Sequence, residues 1–256
     1  MQTNFQQALG LFGKKIIITG GRTGLGFAMA QCVADAGGFP IILSSSPEDI
    51  LQQAISRLPV GCGYHFDVTE TDRAKSFIDR VLNEHGHIDA LINNAGVHCK
   101  KPFEQTDIAD YRRLLDVHLL GSVALTQAVV PAMRRQKSGS ILFISSMSAM
   151  LGMTQVTAYA AAKSALLGMV KSLTGELSPD GIRVNAISPG FIDTPMFHQA
   201  VDADIPRQKK ILGHTPMNAY GDPMDIGWAA VYFCSDASRF VTGVNLPVDG
   251  GCSIGF

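Results

Sequence analysis

In Lys15-Ile16-Ile17-Ile18-Thr19-Gly20-Gly21-Arg22-Thr23-Gly24-Leu25-Gly26, a β-branched run breaks into a turn with four glycines in seven positions. The run carries a strand signal, and glycines let a backbone turn sharply and approach a ligand closely. Residues 25–36 follow with apolar side chains at helical spacing. Strand, glycine turn and helix in that order set a helix N-terminus, rich in free N–H groups, at the end of a strand. That is an anion site suited to a pyrophosphate. The spacing departs from G-x-G-x-x-G, so the strand–turn–helix context carries the assignment; a tight connection without a ligand is the competing reading.

Outward from this turn, short apolar runs alternate with helix-length segments. Strands are predicted at 15–19, 40–43, 63–66, 88–92, 140–144, 183–187 and 244–248, and helices at 25–36, 48–57, 72–85, 108–136, 158–177 and 224–235. Most of the strands are apolar at consecutive positions, as parallel strands covered on both faces are. The pattern predicts an α/β fold: a Rossmann-like, doubly wound sheet of about seven parallel strands with helices on both faces, ligands lying at the strands' C-terminal ends. No linker divides the chain, so residues 1–256 read as one domain. Residues 193–221 break the rhythm with Pro195, Pro206, Pro216 and mixed charges. A stretch of this length after a strand reads as a substrate lid, or else as a surface insertion.

Composition narrows the function. With 46% hydrophobic and 17% charged residues and net charge −1, the chain can fill a core and has no basic face for nucleic acid or polybasic membrane anchor. Five widely spaced cysteines read as free thiols, and no His, Cys or carboxylate set has metal-ligand spacing. Met1 to Lys15 lacks a leader pattern and no run is apolar for bilayer length, so a cytoplasmic protein is expected.

Tyr159 and Lys163 stand four residues apart in a helical segment and share a face. A phenol is a weak base near neutrality, but a neighbouring ammonium and a positive nicotinamide ring would favour its phenolate. Tyr159 could then exchange a proton with a carbonyl or alcohol oxygen, and Ser146, at the end of the fifth strand, could hold that oxygen. The ordinary alternative is a solvated helix face and a strand terminus. The second strand ends in Leu43-Ser44-Ser45-Ser46 with no carboxylate to bond an adenosine ribose. With Arg22 in the turn, this points to NADP(H), NAD(H) remaining possible. Ser44–Ser46 could equally cap the next helix.

The whole pattern resembles the short-chain dehydrogenase/reductase family from about Gly13 to Gly251. The matching stretches are Thr19-Gly20-x-x-x-Gly24-x-Gly26, Asp67-Val68, Asn93-Asn94-Ala95-Gly96, Ser146 thirteen residues before Tyr159, Tyr159-Ala160-Ala161-Ala162-Lys163, Asn185, Pro189-Gly190 with Thr194, and Val248-Asp249-Gly250-Gly251. The resemblance implies alcohol–ketone interconversion by hydride transfer. Gly20, Gly24 and Gly26 would bind the pyrophosphate, Asp67 and Val68 the adenine, and Asn93 the central strand and ribose. Ser146 would orient substrate, Tyr159 act as acid or base, Lys163 bind the nicotinamide ribose and lower the tyrosine pKa, and Ile192 and Thr194 hold the carboxamide. Thr23, Leu25, Asn94, Ala95, Gly96, Pro189 and Gly190 complete the cofactor set. A homotetramer built on the helices at 108–136 and 158–177 is also implied.

The family's asparagine in the long helix, which bends it and holds a relay water, is replaced by His118. An imidazole can hold a water, and near its reference pKa of about 6.5 would add a second titration; a structural histidine is the alternative. His98 is expected at the substrate mouth. The lid and Gly221-Asp222-Pro223 are similar to the sugar-acid and polyol dehydrogenases, with Arg207, Lys209, Lys210 and His214 available to an anion. The 3-oxoacyl-carrier-protein reductases are nearly as similar, but Gly175 stands where that branch tends to place arginine. A small polar substrate is therefore expected. The competing function of another class is an NADP(H)-binding redox sensor without catalysis.

Overall fold

The computed structural model describes residues 8–201 and 204–255; residues 1–7, 202–203 and 256, parts of the expected 1–256 domain and of its lid, lie outside the described residues. Strands β1 (Lys15–Thr19), β2 (Phe39–Ser44), β3 (Cys62–His65), β4 (Ala90–Asn93), β5 (Gly139–Ile144), β6 (Ile182–Pro189) and β7 (Asn245–Val248) form one sheet. Its order is β3-β2-β1-β4-β5-β6-β7, and every pairing is parallel. Each strand overlaps one read from the sequence.

Alternation along β1 explains why consecutive apolar residues are needed. Ile16 and Ile18 join a cluster with Met29, Val33, Ile226 and Ala230 on one face, under α1 (Gly24–Asp35) and α8 (Pro223–Cys234). Ile17 points the other way, into a cluster with Ile41, Leu91, Ile78, Leu125, Val129, Leu166 and Val170. That face is covered by α3 (Ala74–His85), α4 (Ile108–Gln136) and α5 (Thr157–Leu177); α2 (Glu48–Ile55) connects β2 to β3. Burial on both faces favours the parallel arrangement.

α4 is long and apolar enough to cross a membrane by length and composition. Here Leu125, Val129 and Met133 pack into the sheet's core instead. Its middle, Asp116–Leu120, widens into a π turn that contains His118.

The stretch expected to be a lid, residues 193–221, holds more helix among its described residues than its prolines predict. It contains α6 (Pro195–Val201) and α7 (Ile205–His214), with Pro195 and Pro206 in first turns, where a missing N–H costs no helical hydrogen bond. The lid's two ends are tied together: the Asp193 N–H donates to the Gly221 carbonyl at 2.8 Å, and the Gly221 N–H to the Phe191 carbonyl at 3.0 Å. Strand order reverses between β1 and β4, which opens a crevice at their C-terminal ends.

Candidate active site

The glycine turn is held to β4 by side chains. Thr19 Oγ1 accepts from the Asn94 and Ala95 N–H groups at 2.9 and 2.8 Å. Asn94 Nδ2 donates to the Thr19 carbonyl at 2.8 Å and the Gly20 carbonyl at 3.3 Å. Gly24 has φ +53, a left-handed conformation that β-carbons resist. A Cβ on Gly26 would sit on the Gly20 carbonyl oxygen and 2.7 Å from Asn94 Nδ2. The turn therefore presents bare backbone to the crevice, as close approach of a phosphate chain requires.

A cavity of about 450 Å³ opens over this turn. It brings together Gly20, Arg22, Thr23, Gly24, Leu25, Gly26, Ser44, Ser45, Asn94, Ala95, Gly96, Pro189, Gly190, Ile192 and Thr194 with His118, Ser146, Tyr159 and Lys163. Asp67 and Val68 are not among its lining residues: the Asp67 carboxylate accepts from Thr69 N–H and Oγ1 at 2.9 and 2.8 Å, stabilising its own turn, and Val68 packs beside Gly121. Asn93 is also outside it. One residue before Asn94 on a pleated strand, it points to the opposite face, and its Nδ2 donates to Thr126 Oγ1 at 3.2 Å. Ser44 faces the cavity, and its hydroxyl accepts from the Ser46 N–H at 3.2 Å, a turn bond; the next helix has Pro47 at its N-cap and no side-chain cap, so the capping alternative does not hold.

At the other end of the cavity, Tyr159 lies between two imidazoles. His98 and His118 approach it at centroid distances of 5.1 and 5.4 Å, inclined by 68° and 85°. The Ser146 oxygen accepts from Ser148 N–H and Oγ at 3.1 and 3.0 Å. With its lone pairs engaged, Ser146 has its own hydrogen to donate, and its hydrogen bond with Tyr159 uses it. Lys163 Nζ donates to the Ile144 carbonyl at 2.7 Å and lies 5.7 Å from the Tyr159 ring centroid, while Ser145 Oγ donates to the Lys163 carbonyl at 3.0 Å.

The electrostatics correct one expectation, that for His118, and describe the Tyr159–Lys163 pair. Burial pushes the Tyr159 phenol up to about 12, opposed by its hydrogen bond to Ser146. Burial alone brings the Lys163 ammonium down to about 7. Burial thus holds both groups towards their neutral forms. His118 is the correction. Burial, reinforced by the Lys163 charge, pushes it down to about 3, so it stays neutral and adds no titration near 6.5. Its Nε2 lies 2.8 Å from the Val97 carbonyl and 3.2 Å from the Val97 N–H. The shorter contact places the hydrogen on Nε2, leaving Nδ1 as a buried acceptor without a partner.

Sequence reasoning missed Ser148, which orients Ser146. The signal was a serine two residues beyond a strand-end serine, a common side-chain turn. It also missed the Ile144 and Val97 carbonyls, which are backbone atoms and leave no mark in side-chain identity.

A dinucleotide-type crevice with a phenol, a serine hydroxyl that donates beside it and a pinned lysine at its mouth defines an oxidoreductase that acts on alcohols and ketones. Comparison with known proteins agrees. A family model described as Enoyl-(Acyl carrier protein) reductase matches residues 20–253. The chain is 34% identical over 247 residues to a 3-oxoacyl-(acyl-carrier-protein) reductase of Thermotoga maritima, covering 95% of this chain and 99% of that protein. It is 34% identical over 243 residues to a 2-dehydro-3-deoxy-D-gluconate 5-dehydrogenase of Formosa agariphila, covering 93% and 92%. A solved gluconate 5-dehydrogenase from Burkholderia cenocepacia, in complex with NADP and tartrate, superposes with TM-score 0.94 at 28% identity, covering 99% of this chain and 100% of that one. The chain belongs to the short-chain dehydrogenase/reductase family.

Proposed function

We propose that this protein is an NADP(H)-dependent dehydrogenase/reductase that interconverts a secondary alcohol and a ketone on a small polar substrate such as a sugar acid or polyol. The observation that carries the reading is the convergence of Tyr159, Ser146 and Lys163 on one end of the cavity whose other end is the bare glycine turn. Gly20, Gly24 and Gly26 line the phosphate end, Thr194 stands beside Gly24, and Ile192 lines the same cavity. A reduced nicotinamide bound there supplies hydride, and its oxidised form accepts it.

The chain's residues supply the rest. Ser146 donates its hydrogen to the carbonyl oxygen and fixes the oxygen's place. Tyr159, whose neutral form burial favours, donates the proton that the oxygen takes up during reduction. Lys163, tied to Ile144, holds α5 and thus Tyr159 against the end of β5. In oxidation the same phenol must first lose its proton. The positive charge of an oxidised nicotinamide held by the residues lining this cavity would favour that loss. His118 offers Nδ1 as an acceptor behind Tyr159.

Arg22 and the exposed Ser45, at a strand end without a carboxylate, support NADP(H) over NAD(H). A homotetramer is supported by the exposed small residues Ala161, Ser164, Gly168 and Gly175 on α5, with open space where a Cβ would stand on Gly168 and Gly175. Five unpaired cysteines suit the reducing cytoplasm. The Thermotoga relative favours a second reading, reduction of a 3-oxoacyl thioester. NADPH consumption on 5-ketogluconate beside a 3-oxoacyl thioester separates the two. Binding of NADPH with no turnover on either, or on a broad ketone panel, makes the protein a catalytically silent sensor instead.

A further inference from the structure

Besides His118 Nδ1, the polar atoms buried without a partner on the substrate side, among the described residues, are His98 Nε2, Arg207 Nη1 and Tyr220 Oη. Of these residues, His98 and Arg207 line the cavity. A buried guanidinium N–H and a buried imidazole nitrogen that lack partners each forfeit their hydration with nothing in return, a cost that a ligand removes on arrival.

Their supports are local and specific. Arg207 stands in the first turn of α7, where its own N–H donates to the Asp204 carboxylate at 3.0 Å. The lid's tied ends then fix that turn over the cavity. His98 follows β4 and meets the edge of Tyr159 at 5.1 Å, so whatever it binds lies close to the reacting carbon. Burial, the Arg207 charge and the Lys100 charge all push the His98 pKa down, so the ring is neutral beside a cation, and the unpartnered Nε2 can carry its hydrogen towards an incoming acceptor. The surrounding wall is apolar, formed by Met153, Val156 and Phe197.

A planar fork beside a neutral N–H donor, in an apolar wall, matches a carboxylate better than a hydroxyl. The carboxylate neutralises the arginine and accepts from both groups, whereas a hydroxyl leaves the charge uncompensated. We propose that Arg207 and His98 form a carboxylate-binding subsite, so that the protein selects short hydroxy- and oxo-carboxylates over uncharged polyols and neutral 3-oxoacyl thioesters. The proposal rests on the alcohol–ketone reading above for the place of the reacting carbon. It adds which end of the substrate the lid recognises.

The test uses the full chain loaded with NADP⁺ and matched probes: gluconate against sorbitol, tartrate against threitol, glycerate against glycerol. Binding is measured by calorimetry for wild type, Arg207→Gln, Arg207→Lys and His98→Gln, with thermal melting to verify that each folds. The expected result is that at least one carboxylate binds wild type more tightly than its uncharged counterpart. Arg207→Gln should then reduce that preference about tenfold or more, with Arg207→Lys intermediate, while the NADPH dissociation constant stays at its wild-type value. His98→Gln should reduce it by a smaller factor. The proposal is overturned if no carboxylate is preferred, if the preference survives Arg207→Gln, or if that variant weakens NADPH instead, which would make Arg207 a cofactor ligand. Should Arg207→Gln not fold, the Arg207→Lys and His98→Gln values decide in the same way. A protein that shows the carboxylate preference yet turns over no ketone would retain the subsite and lose the enzymatic reading, so the two failures are distinct.

Discussion

On the glycine-turn side of the cavity, Thr19, Asn94 and Ala95 exchange short hydrogen bonds that tie two strand ends together. On the far side His98 Nε2, His118 Nδ1 and Arg207 Nη1 are buried with no partner. The first half is made largely of backbone and is complete before any ligand binds. The second is made of side chains whose hydrogen bonding is unfinished. A finished, glycine-lined surface suits an invariant phosphate chain, and unpaired side-chain groups suit a substrate that brings its own partners.

The largest effect that would break this division lies where the halves meet. Tyr159→Phe keeps the ring between the two imidazoles and removes only the hydroxyl. Turnover should fall by about 10³-fold while NADPH affinity stays near wild type, as steady-state rates beside a fluorescence titration would reveal. A variant that still turns over substrate would move the chemistry away from the phenol.

Gly26→Ala probes the finished half next. Its added Cβ collides with the Gly20 carbonyl and approaches Asn94 Nδ2, both backbone-tied, so neither can yield cheaply. A destabilisation on the order of 2–3 kcal/mol is expected, with a matching loss of NADPH affinity, read from denaturant midpoints and titration. Wild-type stability and affinity in this variant would mean that the turn is loose and the contrast false.

Burial of His118 makes the unfinished half sensitive to acid. The ring's ordinary value of 6.5 falls to about 3 in the folded protein. The unfolded chain therefore binds more protons between those values. The contribution is whole above pH 6.5, declines as pH falls and levels off near pH 3. Between pH 7 and pH 5 it amounts to about 2 kcal/mol. His118→Asn should flatten that part of the stability–pH curve in urea titrations. An unchanged slope would place the acid sensitivity elsewhere.

Much of this was legible from residue order, for identifiable reasons. Parallel strands buried on both faces must be apolar at consecutive positions, so runs such as Ile16-Ile17-Ile18 announced the sheet. Tyr159 and Lys163 were readable because helical spacing alone puts them on one face. The lid helices α6 and α7 were hidden by their prolines, which look like breakers but occupy first turns. The state of His118 was hidden too, since its pKa follows from burial at a π turn that side-chain identity does not encode. Asn93 and Asn94 show the limit sharply: adjacent and chemically identical, one serves α4 and the other the glycine turn, and only strand phase separates them.

The smallest effect concerns cofactor choice, which rests on Arg22 and its serine neighbours. Ser44 already accepts a hydrogen bond from the Ser46 N–H, so it contributes less to a ligand than its position implied. That leaves Arg22 and Ser45 to recognise a phosphate on the adenosine ribose. Arg22→Ala should weaken NADPH by about tenfold, roughly 1.4 kcal/mol, and NADH by much less, because a guanidinium at a partly exposed site gains mainly from the extra phosphate charge. Equal losses for both nucleotides would assign Arg22 to the pyrophosphate they share. In that case the missing carboxylate at the end of β2 would be permissive, tolerating the phosphate without attracting it, and the finished half of the cavity would not discriminate between the two cofactors at all.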